Sequence, residues 1–277
     1  MTTAPGLFVR LAAALALALG VCEGANAQAP AGTPAWVVEQ YVSAPRWDGR
    51  AKYFAGEMER YAGEPTPGMR MPPGASVTVR QLEADARSAV FAVTARVDEG
   101  TFDAYVYLRR DADLWQITAF RRLALPGLFY LAFDSLVARP GGFPEDERVI
   151  ATLKLTVAPD SALKQHFADH AAAFDSLARA AVALPGPELP RAHPEVGEPS
   201  LTPRQADLRE RMQRLLLTAI SRDEEAPGCL LLLIGGMIDN SVGYLYAPPG
   251  CTVPRMSPDY FIHLEALRPG WYVYKTT

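Results

Sequence analysis

His166 and His170 stand four residues apart in the run HFADH, a spacing that places two imidazoles on one side of a helix, as two ligands of a metal ion require. The zinc-protease form of that pattern carries Glu where this chain has Phe167, and no third ligand is evident. Counted at about 100° per residue from Leu163, His170 falls near the apolar stripe and His166 on its flank. The pair therefore reads as core or interface histidines satisfied by neighbours. Asp48 and Glu57 are the carboxylates that could act as a general base from a helix preceding the sheet. Gly235-Gly236 has turn composition, but no Lys, third glycine or following helix makes it a phosphate cradle. No GxSxG elbow is present.

Ala89 to Leu123 is the stretch that must position any such group. Phe91, Val93, Ala95 and Val97 alternate with Val90, Ala92, Thr94 and Arg96, and Phe102, Ala104, Val106 and Leu108 repeat the rhythm against Asp103, Tyr105, Tyr107 and Arg109. A period of two predicts antiparallel strands. Turns at Glu99-Gly100 and Asp111-Ala112 would set Val97 opposite Phe102, Ala95 opposite Ala104, Leu108 opposite Trp115 and Ala104 opposite Ala119. The resulting inner face holds no titratable group, which suits binding better than turnover. The opposite face carries Thr94, Arg96, Asp103, Tyr105, Tyr107, Arg109, Gln116, Thr118 and Arg122. It reads either as a solvated face or as a docking surface rich in tyrosine and arginine, to be covered by the second domain or another protein. Trp47, Tyr105, Tyr107, Gln116 and Arg96 are the candidate binding residues.

Before the sheet, Thr33-Pro34 starts a helix containing Trp36, Val37, Gln40 and Tyr41, and a second helix is expected over roughly Trp47 to Tyr61. Gly63 to Gly74 is a loop, and Ser76 to Glu83 a first strand. The runs VVEQYVSAPRWDGRAKYFAGEM and DADLWQIT, in this order, resemble the cone-shaped fold named after nuclear transport factor two, over Pro34 to about Leu123. That resemblance implies a curved sheet wrapped around helices, with a pocket. Isomerases, dehydratases and non-catalytic binding modules share the fold, so it does not choose the activity.

Leu125 to Ala138 is a short helix, and Pro140-Gly141-Gly142 marks a domain boundary. Asp146 to Val157 fits helix or strand. Asp160-Ser161 caps a helix to about Leu184 with the stripe Leu163, Phe167, Phe174, Leu177 and Ala181. Pro185 to Pro199 is a linker or loop. Thr202-Pro203-Arg204-Gln205 is a capping box opening a helix to about Arg222. Cys229–Ile234, Val242–Tyr246, Tyr260–Leu267 and Trp271–Thr276 give a four-stranded antiparallel sheet, with Gly235-Gly236 as a break and Arg268-Pro269-Gly270 as a hairpin turn. The segments LKQHFADHAAAFDSLARA, IGGMIDNSVGYLY and YFIHLEALRPGWYVYKTT resemble a family of exported bacterial proteins of unassigned function. Val242 stands where that family usually has a basic residue.

Residues 1–27 read as a signal peptide: Arg10, the apolar run Leu11 to Val21, and Ala25-Asn26-Ala27 before a cleavage point. The apolar run is half of the roughly 20 residues a membrane span needs. A lipoprotein reading would use Cys22, but Val21 precedes it where the signal wants a small residue. Cleavage leaves Cys229 and Cys251. In an oxidising compartment they are expected to form a disulfide closing about 22 residues, contributing roughly 3 kcal/mol, with paired metal ligands as the competing idea. The formal net charge is -4, and scattered basic residues without aromatic interleaving argue against nucleic acid.

The expected protein is thus α+β: a signal peptide over 1–27, a leader over 28–33, a cone-like domain over 34–139, a linker over 140–145 and a second α+β domain over 146–277. It is expected to be periplasmic or secreted and to have no cofactor, no metal and no membrane span. The expected role is non-catalytic binding of a protein or a small apolar ligand. The alternative is a cone-fold isomerase or hydrolase using Asp48 or Glu57.

Overall fold

The computed structural model describes residues 29–277 apart from 44–46, 64–73, 99, 126–130, 132–133, 139–143, 194–199 and 238. The expected signal peptide, most of the expected loop after Gly63 and the expected boundary at Pro140-Gly141-Gly142 lie outside the described residues. The fold is α+β, with helices and two antiparallel sheets, one of four strands and one of five.

Helix α1, Pro34–Ser43, begins where expected. Thr33 Oγ1 accepts a hydrogen bond from the Trp36 N–H at 3.2 Å, and Pro34 occupies the first helical position, where no donor is lost. Val37, Val38, Tyr41 and Val42 are buried. The second helix expected over 47–61 does not form. In its place are two 3-10 turns, Arg50–Tyr53 and Gly56–Tyr61. Gly49 and Gly56 adopt left-handed φ angles of 68° and 58°, and between the turns Phe54 is extended and bridges Ile117.

The first sheet is a meander: β1 Ser76–Ala84, β2 Ser88–Val97, β3 Gly100–Asp111 and β4 Leu114–Arg121. Its register corrects the expected one by two residues. Val97 pairs with Gly100, Ala95 with Phe102 and Phe91 with Val106, while Asp111 pairs with Leu114 and Leu108 with Ile117. Each turn sits one position from its expected place. Moving a two-residue turn by one moves the pairing by two, an even number, so the same side chains keep the same face. A bulge then inserts Thr118, since Leu108 faces Ile117 but Tyr107 faces Ala119. It moves Ala119 off the apolar face where it was expected and turns it toward the opposite one.

Phe91, Val93, Val106, Leu108, Trp115 and Ile117 form one core with α1, Trp47, Phe54 and Met58. The reverse face is covered in part, with Arg96, Arg109 and Arg122 left exposed. Val90, Ala92, Tyr105, Tyr107 and Ala119 pack against Leu231, Leu245, Phe261, Ile262, Leu264 and Tyr274 of the second sheet.

That second sheet has the order β5-β6-β7-β9-β8, with β5 Ala219–Ser221, β6 Leu230–Met237, β7 Asn240–Tyr246, β8 Phe261–Arg268 and β9 Trp271–Thr276. Five strands replace the expected four, because the helix after the capping box ends at Arg214 rather than near Arg222. Leu216 is left-handed at φ 56°, and the chain beyond it becomes an edge strand. Gly235-Gly236 is no break: β6 runs through it, bulged.

The outer face of this sheet is covered by α3 Asp160–Asp169, α4 Ala171–Val182 and α5 Pro203–Arg214, through Leu163, Phe167, Phe174, Leu177, Leu208 and Met212 against Leu232, Tyr244, Trp271 and Val273. The single helix expected from Asp160 to Leu184 is broken at His170, φ -120°. Its Nδ1 lies 2.9 Å from the His166 carbonyl oxygen, a local side-chain contact that competes with helix continuation. Helix α2, Pro144–Thr156, resolves the ambiguous segment. A disulfide joins Cys229 to Cys251, Cα atoms 4.8 Å apart, tying the start of β6 to the loop after β7.

Candidate functional site

Between the two sheets the apolar packing gives way to charge. Buried polar and charged residues of the described chain are Asp103, Thr156, Asp160, His263, Lys275 and Thr276. Four of them meet at one point. Asp103 and Tyr105 come from β3 of the first sheet, His263 from β8 and Lys275 from β9 of the second, and Asp160 from the first residue of α3. Strand alternation explains the strand residues: Asp103 and Tyr105 are two apart on the face turned to the second sheet, and Lys275 pairs with His263 across the β8–β9 ladder.

Asp160 is the hub. Its Oδ1 lies 2.7 Å from Lys275 Nζ and accepts from the Tyr105 hydroxyl at 2.9 Å. Its Oδ2 is 3.1 Å from His263 Nδ1, and its backbone N–H donates to Asp103 Oδ2 at 2.6 Å. His263 Nδ1 lies 2.7 Å from the Tyr105 hydroxyl and Nε2 lies 3.3 Å from Glu265. Glu265 in turn accepts two hydrogen bonds from Arg80 at 2.8 Å each and one from Lys164 at 2.6 Å. Thr94 donates to the second oxygen of Asp103. Counting the ionised groups, Asp103, Asp160 and Glu265 balance Arg80, Lys164 and Lys275 when His263 is neutral.

Burial sets the protonation states. Removal from water pushes the His263 imidazole down to about 4, against the opposing pull of Asp160, so it is neutral at pH 7. Asp160 is also desolvated, which alone would raise it, but His263, Lys275 and Tyr105 outweigh that and hold it at about 2. The Tyr105 hydroxyl is raised well above its ordinary value by burial and by Asp160 and Asp103.

Asp160, His263 and Glu265 offer ligand atoms within 4.8 Å of one another. They do not suit a metal ion, because each is engaged and the Lys275 and Lys164 ammonium groups already occupy the positions a cation would take. What the arrangement does chemically is hold protons in place and join the two sheets. Tyr107 reinforces it by donating to the Ile262 carbonyl at 2.8 Å, and Arg121 by donating to the Pro258 carbonyl at 2.7 Å while pairing with Glu57.

Of the residues singled out in the sequence, Tyr105 and Tyr107 come together in this interface. Trp47 does not join them: it stacks on Tyr53 with centroids 4.8 Å apart in the core under α1. Gln116 donates to the Lys52 carbonyl at 2.9 Å, and Arg96 is exposed. Asp48 is exposed and Glu57 is held by Arg121, whose charge and hydrogen bonds lower its carboxyl. His166 lies 3.2 Å from the Leu215 carbonyl oxygen, and its ring packs on His170, Phe174 and Tyr244.

Asp103, Asp160, His263, Glu265 and Lys275 were missed as a group. The available signal was charge at alternate positions of otherwise apolar strands, His263 and Glu265 in FIHLEALR above all.

Beside the cluster a cavity of about 320 Å³ opens at the seam between the sheets, lined by Phe102, Asp103, Arg122, Leu123, Leu125, Val157 and Lys275 among others. No protein-family profile, curated protein or solved structure matches the chain. Among the described residues no helix is long and apolar enough to cross a membrane.

Proposed function

We propose that this is an exported binding protein of the bacterial cell envelope, non-catalytic, that takes a small molecule at the seam of its two sheets. The observation that carries the reading is the cavity beside Asp103 and Lys275, partly apolar and adjoining a polar network whose buried acid and base groups take one another as partners. Groups that would transfer protons to a substrate are engaged in holding the sheets together, whereas the cavity wall offers apolar surface and a few fixed charges, the usual composition of a ligand site.

Export is supported by the signal-peptide pattern of residues 1–27 and by the Cys229–Cys251 disulfide, which an oxidising compartment maintains. One helix, two short helical turns and a four-stranded meander are in keeping with the resemblance to the cone fold, many of whose members bind without catalysis. The test is a thermal-shift screen of the purified chain from Gln28 onward against small metabolites and lipids, repeated on a variant whose cavity is filled by Ala158→Trp. Ligands that raise Tm in the parent and not in the filled variant support the reading. Turnover of any of them, abolished by His263→Asn, would overturn it.

A further inference from the structure

The charge around the seam cavity is unequal in a way that names its ligand. The buried network is internally neutral, three carboxylates against three cations. Arg122 stands outside that balance: it lines the cavity, is exposed, and has no partner among the described residues. Lys275 lines the same cavity and is only 3% exposed. Its ammonium carries three donors, with Asp160 at 2.7 Å and Asp103 more distant at 4.0 Å.

The site thus carries one uncompensated positive charge and a buried donor beside it. The rest of the wall is oily: Phe102, Leu123, Leu125 and Val157, of which Val157 is one of the few large apolar side chains in the described chain left substantially open to solvent, at 38%. A half-open valine beside an unpaired guanidinium gives an amphipathic ligand one apolar and one charged contact on the same wall.

Resting on the binding role proposed above, we infer that the cavity takes a small amphipathic monocarboxylate. Its carboxylate pairs with Arg122 and reaches Lys275, and its hydrocarbon part lies over Val157, Leu123 and Phe102. Asp103 on the same wall repels a second negative charge, which favours a monoanion over a phosphate dianion. A cavity of about 320 Å³ lies at the lower end of the range for small-ligand sites, which suits a medium-chain acid.

The probes are octanoate, octylammonium and octanol, titrated calorimetrically into the full mature chain at pH 7.5, into Arg122→Glu, which changes an exposed residue, and into Val157→Asp. Saturable one-to-one binding of octanoate, at least about tenfold tighter than octanol and undetectable for octylammonium, is the expected result. Arg122→Glu weakens octanoate by about tenfold or more, as the loss of a charge-assisted contact requires, and leaves octanol unchanged; Val157→Asp weakens both. Equal binding of octanoate and octylammonium, or no effect of Arg122→Glu, overturns the carboxylate assignment while leaving a small-molecule site in place. No binding of any of the three overturns this inference, and the binding reading itself then stands or falls on the broader screen with the filled variant.

Discussion

Tyr105 has one hydroxyl proton and two takers, Asp160 at 2.9 Å and His263 Nδ1 at 2.7 Å. The neutral imidazole likewise has one proton for two sides, Tyr105 or Glu265. The cluster is therefore satisfied only as a unit, and its members should not be separable. Tyr105→Phe removes the shared donor and leaves buried acceptors short, which costs about 1–3 kcal/mol. Lys275→Met strips Asp160 of its closest cation and costs more, about 3–5 kcal/mol. Urea unfolding midpoints read both, and equal effects of the two changes would show that charge is not what matters.

The same groups set the acid limit. His263 is lowered to about 4 from an ordinary 6.5, so the unfolded chain takes up a proton first. Its contribution is present above pH 6.5 and lost as pH falls toward 4, roughly 3 kcal/mol in all. Asp160, lowered from 3.8 to about 2, contributes above pH 3.8 and loses that contribution as pH falls through 2. Both losses run toward acid. Tm followed from pH 7.5 to 4 should fall for the parent and stay nearly level over the upper part of that window for His263→Asn.

At the scale of elements, β6 depends on a close approach. A Cβ placed on Gly235 would lie 2.3 Å from Thr156 Oγ1 of α2, and Thr156 is fully buried and donates to the Thr152 carbonyl, so it has little room to yield. Gly235→Val should cost about 1–3 kcal/mol by overpacking; a thermal melt that matched the parent would mean α2 moves freely off the sheet.

This contact also shows what the sequence could and could not yield. Two adjacent glycines look the same whether they end a strand or admit a helix to its surface, because the difference lies in Thr156, far away in the chain. The strand faces were legible because alternation survives a two-residue error in register, and the Thr202 capping box because it is local. Apolar spacing predicts a second helix that does not form, because Gly49 and Gly56 break it through φ, which such spacing does not report. The polar cluster was illegible for a related reason: its five residues come from positions between 103 and 275, and each alone is an ordinary charge in a strand or an ordinary helix start.

Across the whole molecule the layers run helix and turns, first sheet, second sheet, helices, with three cores between them. The middle core belongs to neither half alone. Val90, Ala92, Tyr105 and Tyr107 find cover from Leu231, Leu245, Phe261, Ile262, Leu264 and Tyr274, and if the sheets parted Asp103 would lose Lys275 and Arg80 would lose Glu265, while Asp160 and Lys275 would keep each other. Separation of the halves therefore exposes oily surface and breaks the ion network together, so the two should unfold in one transition. Trp36, Trp47 and Trp115 report on the first half and Trp271 on the second. A Trp271→Phe variant followed by fluorescence should melt at the same urea concentration as a variant retaining Trp271 alone. A fragment ending at Leu125 should bind a hydrophobic dye strongly, because its tyrosine face has lost its cover. Two separated midpoints, or a fragment that stays monomeric and dye-silent, would mean that the sheets stand independently and that the polar cluster is a bystander to folding.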